Sequence, residues 1–127
     1  MAKSKILIVD DEAQLVNLLK LRLQAHGYEV FSAKDGEEAL ETIKGKMPDL
    51  VVLDLLVPHL NGYEVCAILK RDSRFQKIPL IICTAKTQEK EIKEAMDCGA
   101  DAYVQKPFES QELLSKVQVL LETKPVK

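Results

Sequence analysis

The sequence predicts an α/β protein in which a five-stranded parallel sheet is covered by helices on both faces. Short β-branched or aliphatic runs alternate with longer stretches of helical period, and the connections between them are short. At 127 residues and 46% hydrophobic, the chain has material for one sizeable core and no second folded domain.

Residues Lys5–Val9 form the first strand. Leu15, Leu19 and Leu23, with Leu18 beside them, make an i, i+4 stripe, so residues 12–25 read as an amphipathic helix closed by Gly27. Glu29–Ala33 is a weaker second strand. Asp35 is placed to cap the next helix, with Glu38 three residues on, and Ala39, Leu40, Ile43 and Met47 supply its apolar face before Pro48 stops it. Leu50–Leu53 is the third strand. Asn61 caps a helix buried through Val65, Ile68 and Leu69, and residues 78–83, entered at Pro79, are the fourth strand. After a polar loop, Ile92, Ala95 and Met96 form the inner stripe of a fourth helix ending at Cys98 and Gly99. Residues 102–104 are a short fifth strand, and Ser110 caps a last helix whose stripe is Leu113, Val117, Leu120 and Leu121. The result is a doubly wound α/β domain spanning 1–127, with its core over about 5–121 and a fraying tail over 122–127. No internal repeat interrupts these units.

Composition excludes several classes of function. The formal net charge is -2, with acidic and basic residues mixed along the chain, so direct nucleic-acid binding is not expected. No apolar run approaches a membrane span, and the first one, in MAKSKILIVDDE, is too short for a signal-peptide core; a cytoplasmic location without membrane contact is expected. Cys66, Cys83 and Cys98 are odd in number and lack CxxC spacing, which argues against both a disulfide framework and a zinc site. They are expected to be buried, reduced packing residues.

Sheets of this kind bind ligands beyond the carboxyl ends of their strands, in the crevice where the strand order reverses. Asp10 and Asp11 follow the first strand, Asp54 the third, Thr84 the fourth and Lys106 the fifth. One acid at a strand end is ordinary, because chains turn polar there. The whole set on one rim is not. Gathered carboxylates repel one another, so either their pKa values rise or a cation joins them, and a hard divalent ion such as Mg²⁺ suits oxygen ligands. Lys106 adds a compact cation and Thr84 a hydroxyl donor, which together suit a phosphoryl group. No GxxxxGK[ST] loop is present to cradle a nucleotide. What remains is a carboxylate nucleophile, and Asp54, the one acid inside the apolar stretch LVVLDLLVP, is the best placed.

At these residues the sequence resembles the response regulator receiver domains of two-component signalling, of the chemotaxis-receiver type, over about residues 5–121. The motifs are ILIVDDE, PDLVVLDLLVPHLNGYEV around the acceptor, PLIICTA and GADAYVQKPF, in order and at the spacing of βα units. The resemblance implies a flavodoxin-like sheet of strand order 2-1-3-4-5 with five helices. It implies that Asp54 accepts a phosphoryl group from a histidine kinase or phosphotransfer protein, or from a small donor such as acetyl phosphate. Asp11, Asp54 and the backbone carbonyl of Leu56 would ligate Mg²⁺, with Asp10 acting through a metal-bound water. Lys106 would contact the acyl phosphate, Thr84 would move to hydrogen-bond it, and Tyr103 would rotate into the space Thr84 leaves. A cis peptide is implied between Lys106 and Pro107. Output would pass to a downstream protein or output domain through the fourth helix, fifth strand and fifth helix, roughly residues 86–122. Such a domain catalyses only its own phosphorylation and dephosphorylation.

The loop PHLNG departs from the family pattern, with His59 in place of a usual glycine and Asn61 in place of a usual aspartate. His59 reads as a solvated loop residue, and Asn61 keeps the capping ability of aspartate. Leu56, two residues after Asp54, offers no group to orient an attacking water, so a long-lived phosphoryl state is expected. Lys86, two residues after Thr84, is the other position that varies among such domains. A phosphohydrolase of the haloacid dehalogenase type would place a second acid where Leu56 stands. A pseudo-receiver would usually lack an acid, the acceptor or the lysine, and all are present here. GADAYVQKPF lacks the adjacent aspartates of receivers that dimerise through this face, and the last helix has no arginine. A monomer is expected in the unphosphorylated state.

Overall fold

A computed structural model of the chain describes residues 3–55, 57, 59, 62–85, 93–94 and 96–122. In chain order the elements are β1 (Lys5–Val9), α1 (Ala13–Ala25), β2 (Glu29–Ala33), α2 (Gly36–Lys46), β3 (Leu50–Leu53), α3 (Gly62–Arg71), β4 (Leu80–Thr84), β5 (Ala102–Gln105) and α4 (Ser110–Glu122). The strands form one parallel sheet in the order β2-β1-β3-β4-β5. This is the order the resemblance implies. The additional helix predicted between β4 and β5 falls largely outside the described residues; within it, residues 93, 94, 96 and 97 are helical, and the Cys98 N–H donates to the Glu94 carbonyl at 3.0 Å.

Strand residues alternate between the two faces of the sheet, and the core divides accordingly. Leu7, Val9, Val51, Leu53, Leu80 and Ile82 pack against Ala39 and Ile43 of α2 and Val65, Cys66 and Leu69 of α3. Their neighbours Ile6, Ile8, Leu50, Val52, Ile81 and Cys83 pack on the other face, against Val16, Leu19 and Leu23 of α1 and Leu113, Leu114 and Val117 of α4. Because both faces are covered, β1, β3 and β4 are apolar at every position except Lys5 at the start of β1 and Thr84 at the end of β4, as suits a doubly wound sheet. The start of α2 follows from local chemistry too. Asp35 Oδ1 accepts from the Glu38 N–H at 2.8 Å, and the Glu38 carboxylate reaches back to the Lys34 N–H at 3.3 Å.

Several predicted core positions are corrected. Val16, not Leu18, belongs to the buried stripe of α1; Leu18 lies about 200° around the helix from Val16 and is exposed. Ile68 is exposed while its neighbours Leu69 and Cys66 are buried. Met47 is exposed because the chain has already left the helix there: Pro48 disfavours the α conformation in the preceding residue, and Met47 takes a left-handed φ of 48°. Met96 is likewise exposed, against the inner position predicted for it. β4 begins at Leu80, not Ile78, since the Ile78 N–H is turned back to the Phe75 carbonyl at 3.0 Å and Pro79 has no N–H to offer a ladder. Ser110 is the first residue of α4 rather than its cap. Cys66 and Cys83 are buried as expected, whereas Cys98 is only partly so. Asn61, Ile92, Ala95, Lys86 and the TKPVK tail lie outside the described residues.

Gly62 fixes how α3 meets the sheet. Its N–H donates to the Leu55 carbonyl at 3.1 Å, and a Cβ there would stand 2.6 Å from Leu55 Cα and 2.7 Å from the Asp54 carbonyl oxygen. Both atoms are backbone and cannot swing aside. Gly62→Ala should therefore cost roughly 2–3 kcal/mol through overpacking. Gly45→Ala, on the exposed face of α2 with nothing within 4 Å of the new methyl, should instead gain about 0.5–1 kcal/mol. Urea unfolding of the two variants beside the parent gives both signs, and a neutral Gly62→Ala would overturn the close-approach argument.

Candidate functional site: an acidic crevice bridged by lysine

The site lies where the sheet reverses its order. From β1 the chain winds outward to β2 on one side, then returns to place β3 on the other, so β1 and β3 flank the switch point. Val9 is in register with both Ala33 and Leu53. Asp10 and Asp54, the next residues, therefore emerge side by side. Each is held by one more ladder bond, from the Asp10 N–H to the Ala33 carbonyl at 3.0 Å and from the Asp54 N–H to the Val9 carbonyl at 2.9 Å. The β4–β5 ladder likewise runs one step on, with the Lys106 N–H donating to the Thr84 carbonyl at 2.9 Å.

Lys106 closes the crevice. Its ammonium donates to Asp10 Oδ2 at 2.8 Å, Glu12 Oε1 at 2.8 Å and Asp54 Oδ2 at 3.0 Å. Asp10 and Asp54 are each only 5% exposed, whereas the Glu12 side chain is 61% exposed. The other oxygen of Asp10 accepts from the Glu12 N–H at 2.9 Å, a side-chain turn that fixes the carboxylate and leads the chain into α1. Burial pushes the Asp10 carboxyl above its ordinary pKa, although Lys106 and the Glu12 N–H pull it back. Burial also works against the Lys106 ammonium, but its bonds to Asp10, Glu12 and Asp54 outweigh that and raise its pKa. The cluster thus holds its charges by mutual pairing.

The predicted residues converge unevenly. Asp10, Asp54 and Lys106 are in direct contact. Thr84 is buried at the end of β4, and Tyr103 stands on β5 opposite Ile82, partly buried against the core on the α2 and α3 face. The Lys106–Pro107 peptide is cis, as the resemblance implies. Asp11 is exposed. Leu56 lies outside the described residues. Glu12 was absent from the predicted set, yet its carboxylate, with those of Asp10 and Asp54, offers oxygens all within 4.8 Å of one another. The signal was the acid that follows the pair in ILIVDDE. Hard oxygen donors so grouped suit Mg²⁺ rather than a softer metal.

A doubly wound sheet carrying a lysine-bridged pair of acids at its switch point defines an α/β signalling domain of the receiver class. The chain belongs to the response regulator receiver domain family, whose model matches residues 6–118. It is 42% identical over 117 residues to the alkaline phosphatase synthesis transcriptional regulatory protein PhoP of Bacillus subtilis, covering 92% of this chain and 48% of that protein. It is 38% identical over 119 residues to the DNA-binding response regulator MtrA of Mycobacterium tuberculosis, covering 94% of this chain and 51% of that one. The chain thus spans about half the length of these curated relatives. Among solved structures, a CheY-like receiver domain protein from Methanospirillum hungatei superposes with a TM-score of 0.90 at 28% identity, covering 97% of each chain. The chemotaxis protein CheY4 of Vibrio cholerae does so with a TM-score of 0.87 at 30% identity, covering 94% of this chain and 99% of the other.

The pairing predicts a pH signature. Lys106 has a raised folded pKa, so its contribution to stability is fully present below its ordinary value of 10.5 and is lost as pH rises through the folded value. Asp10 has the opposite sense for an acid: its raised pKa means that protonation relieves the fold as pH falls. Lys106→Met should then destabilise by about 3 kcal/mol at pH 7 in metal-free buffer, and the deficit should shrink as pH falls toward about 4, because the Asp10 carboxyl, raised by burial and now without the ammonium that pulls it back, takes up a proton. Denaturant unfolding of parent and variant across pH 3–8 checks this; a pH-independent deficit would assign Lys106 a packing role only.

Proposed function

We propose that this chain acts, as a single receiver domain over residues 1–127, as a phosphorylation-controlled switch of a two-component relay, with Asp54 as the phosphoryl acceptor. The observation that carries the reading is the Lys106 ammonium 3.0 Å from a buried Asp54 oxygen and 2.8 Å from Asp10. In the proposed step an Asp54 carboxylate oxygen forms the bond to phosphorus as the P–N bond of a donor phosphohistidine breaks, the electron pair staying on the imidazole. Lys106 neutralises charge on the transferred group, and Thr84 donates its hydroxyl to a phosphoryl oxygen. Bound Mg²⁺ supplies charge neutralisation between acceptor and phosphoryl group. Asp11, Asp54 and the Leu56 carbonyl are the proposed ligands, with Asp10 acting through a metal-bound water, and Glu12 is a further acid in reach of the cluster.

The dianion so formed pulls on Lys106 and Thr84 in one state only, and so biases the packing of Tyr103 and the surface over residues 86–122. A histidine kinase or phosphotransfer protein is the proposed donor, and a downstream protein or output domain the receiver of the signal. Nucleic acid is not proposed as a ligand of these residues, whose net charge of -2 gives it no attraction. Among the described residues no helix is long and apolar enough to cross a membrane. A cytoplasmic site of action, a monomer before phosphorylation, and the absence of any external substrate complete the proposal.

Incubation with Mg²⁺ and acetyl phosphate should add one phosphoryl group by intact mass, and Asp54→Ala should add none. An unmodified parent would favour a phosphorylation-independent interaction module, and steady phosphate release from unrelated esters would favour a hydrolase. Leu56→Asn, which supplies an amide able to orient water, should shorten the life of the phosphoryl state roughly tenfold. An unchanged dephosphorylation rate would remove Leu56 from the account.

A further inference from the structure

The three cysteines divide into a pair and a remainder. Cys83 is enclosed in β4, whereas Cys66 of α3 and Cys98, at the turn before β5, meet across a sequence separation of 32. The Cys66 thiol donates to the Cys98 carbonyl oxygen at 3.1 Å. The backbone at Cys98 is itself pinned, with its own N–H bonded to the Glu94 carbonyl and the Gly99 N–H to that of Met96, both at 3.0 Å. One sulfur therefore already rests against the residue that carries the other. The two side chains also interact directly, the Cys98 thiol acting on that of Cys66 through its charge and a side-chain hydrogen bond, so the sulfurs are neighbours in the fold.

We propose that Cys66 and Cys98 form a reversible disulfide on exposure to a small peroxide, clamping α3 to the turn that enters β5. Cys98 is the first to react. It is partly exposed and lines an open cavity of about 590 Å³ with Tyr63, Lys70 and Glu94. Burial, and then the neighbouring Cys98, push the Cys66 thiol up to about 12 and disfavour its direct reaction with peroxide; its part is the second step, where contact with Cys98 replaces encounter from solvent. Burial likewise pushes the Cys83 thiol up to about 12 and leaves it unreactive. In the first step the Cys98 sulfur attacks a peroxide oxygen, the O–O bond breaks, and water leaves with a sulfenic acid remaining on Cys98. In the second, the Cys66 sulfur attacks that sulfenyl sulfur; the S–S bond forms, the S–O bond breaks, and the hydroxyl leaves as water with the Cys66 proton. Overall two thiols and one hydrogen peroxide give one disulfide and two waters.

The test uses the intact chain and does not depend on phosphorylation. The folded protein is treated with a few equivalents of hydrogen peroxide, denatured, alkylated with N-ethylmaleimide and weighed. The expected product has lost two hydrogens and takes up one maleimide, against three for the untreated protein and three again after dithiothreitol. Peptide mapping should join Cys66 to Cys98. Cys83→Ser should still lose two hydrogens and take up none, while Cys66→Ser should stop at an oxygen adduct on Cys98. The oxidised parent should melt about 5 °C or more above the reduced one, since the closed loop restricts the unfolded chain. Three maleimides after peroxide, a sulfinic acid on Cys98 with Cys66 still free, or a cross-link involving Cys83 would each overturn the proposal.

Discussion

Two buried carboxylates stand side by side in this fold because one ammonium stands between them. Asp10 and Asp54 are each 5% exposed, and a buried anion without a partner costs several kcal/mol. Lys106 meets both, and Glu12 besides. The ammonium comes from the far edge of the sheet: β5 is separated from β3 by β4. Its delivery to the crevice therefore requires the β4–β5 register to be correct, and that register is closed by the bond between Lys106 N–H and Thr84 carbonyl. The charge cluster and the sheet are one constraint seen from two sides.

The sheet meets that constraint through parity and register. Because strand residues alternate in facing, Leu7 and Val9 pack under α2 and α3 while Ile6 and Ile8 pack under α1 and α4. A slip of one residue in β1 would bring the acids to the wrong level and turn every core residue to the wrong face. Gly62 adds a second lock. Its backbone lies against Leu55 and the Asp54 carbonyl with no room for a methyl group, so the start of α3 is set directly on the end of β3.

How much of this was legible depended on the kind of signal. The strands were read almost to the residue, as with Lys5–Val9 and Leu50–Leu53, because continuous aliphatic runs bounded by polar residues admit few alternatives. Helix existence was equally plain, but helix faces were not. Leu18, Ile68 and Met96 are apolar residues adjacent to the buried stripe, and spacing alone does not say which of two neighbouring leucines or isoleucines turns inward. The set Asp10, Asp54 and Lys106 was legible because all three sit at strand ends, where topology dictates convergence. Glu12 was not, since it reaches the crevice through a turn, in which its N–H binds Asp10 while its side chain comes round to Lys106. The Cys66–Cys98 contact was illegible for a similar reason: it joins a helix to a turn 32 residues on, with no motif to announce it.

The three bonds of Lys106 are not equivalent, and their inequality gives the crevice its direction. The bonds to Asp10 and Asp54 lie in surroundings where water screens little, and losing either would leave a buried carboxylate short of its counter-charge. The bond to Glu12 ends on a side chain 61% exposed, where an ion pair is worth about 1 kcal/mol or less and the released carboxylate is at once solvated. An anion placed on Asp54, as the proposed phosphoryl transfer would place it, would compete for the donors of Lys106, and the bond that would yield at least cost is the one to Glu12. Such a shift would leave the bond to Asp10, and with it the tie between β1 and β5, in place. A site built from three equally buried acids would hold its lysine too firmly to respond. Two buried acids and one solvated acid leave the cation with two bonds that are costly to break and one that is not.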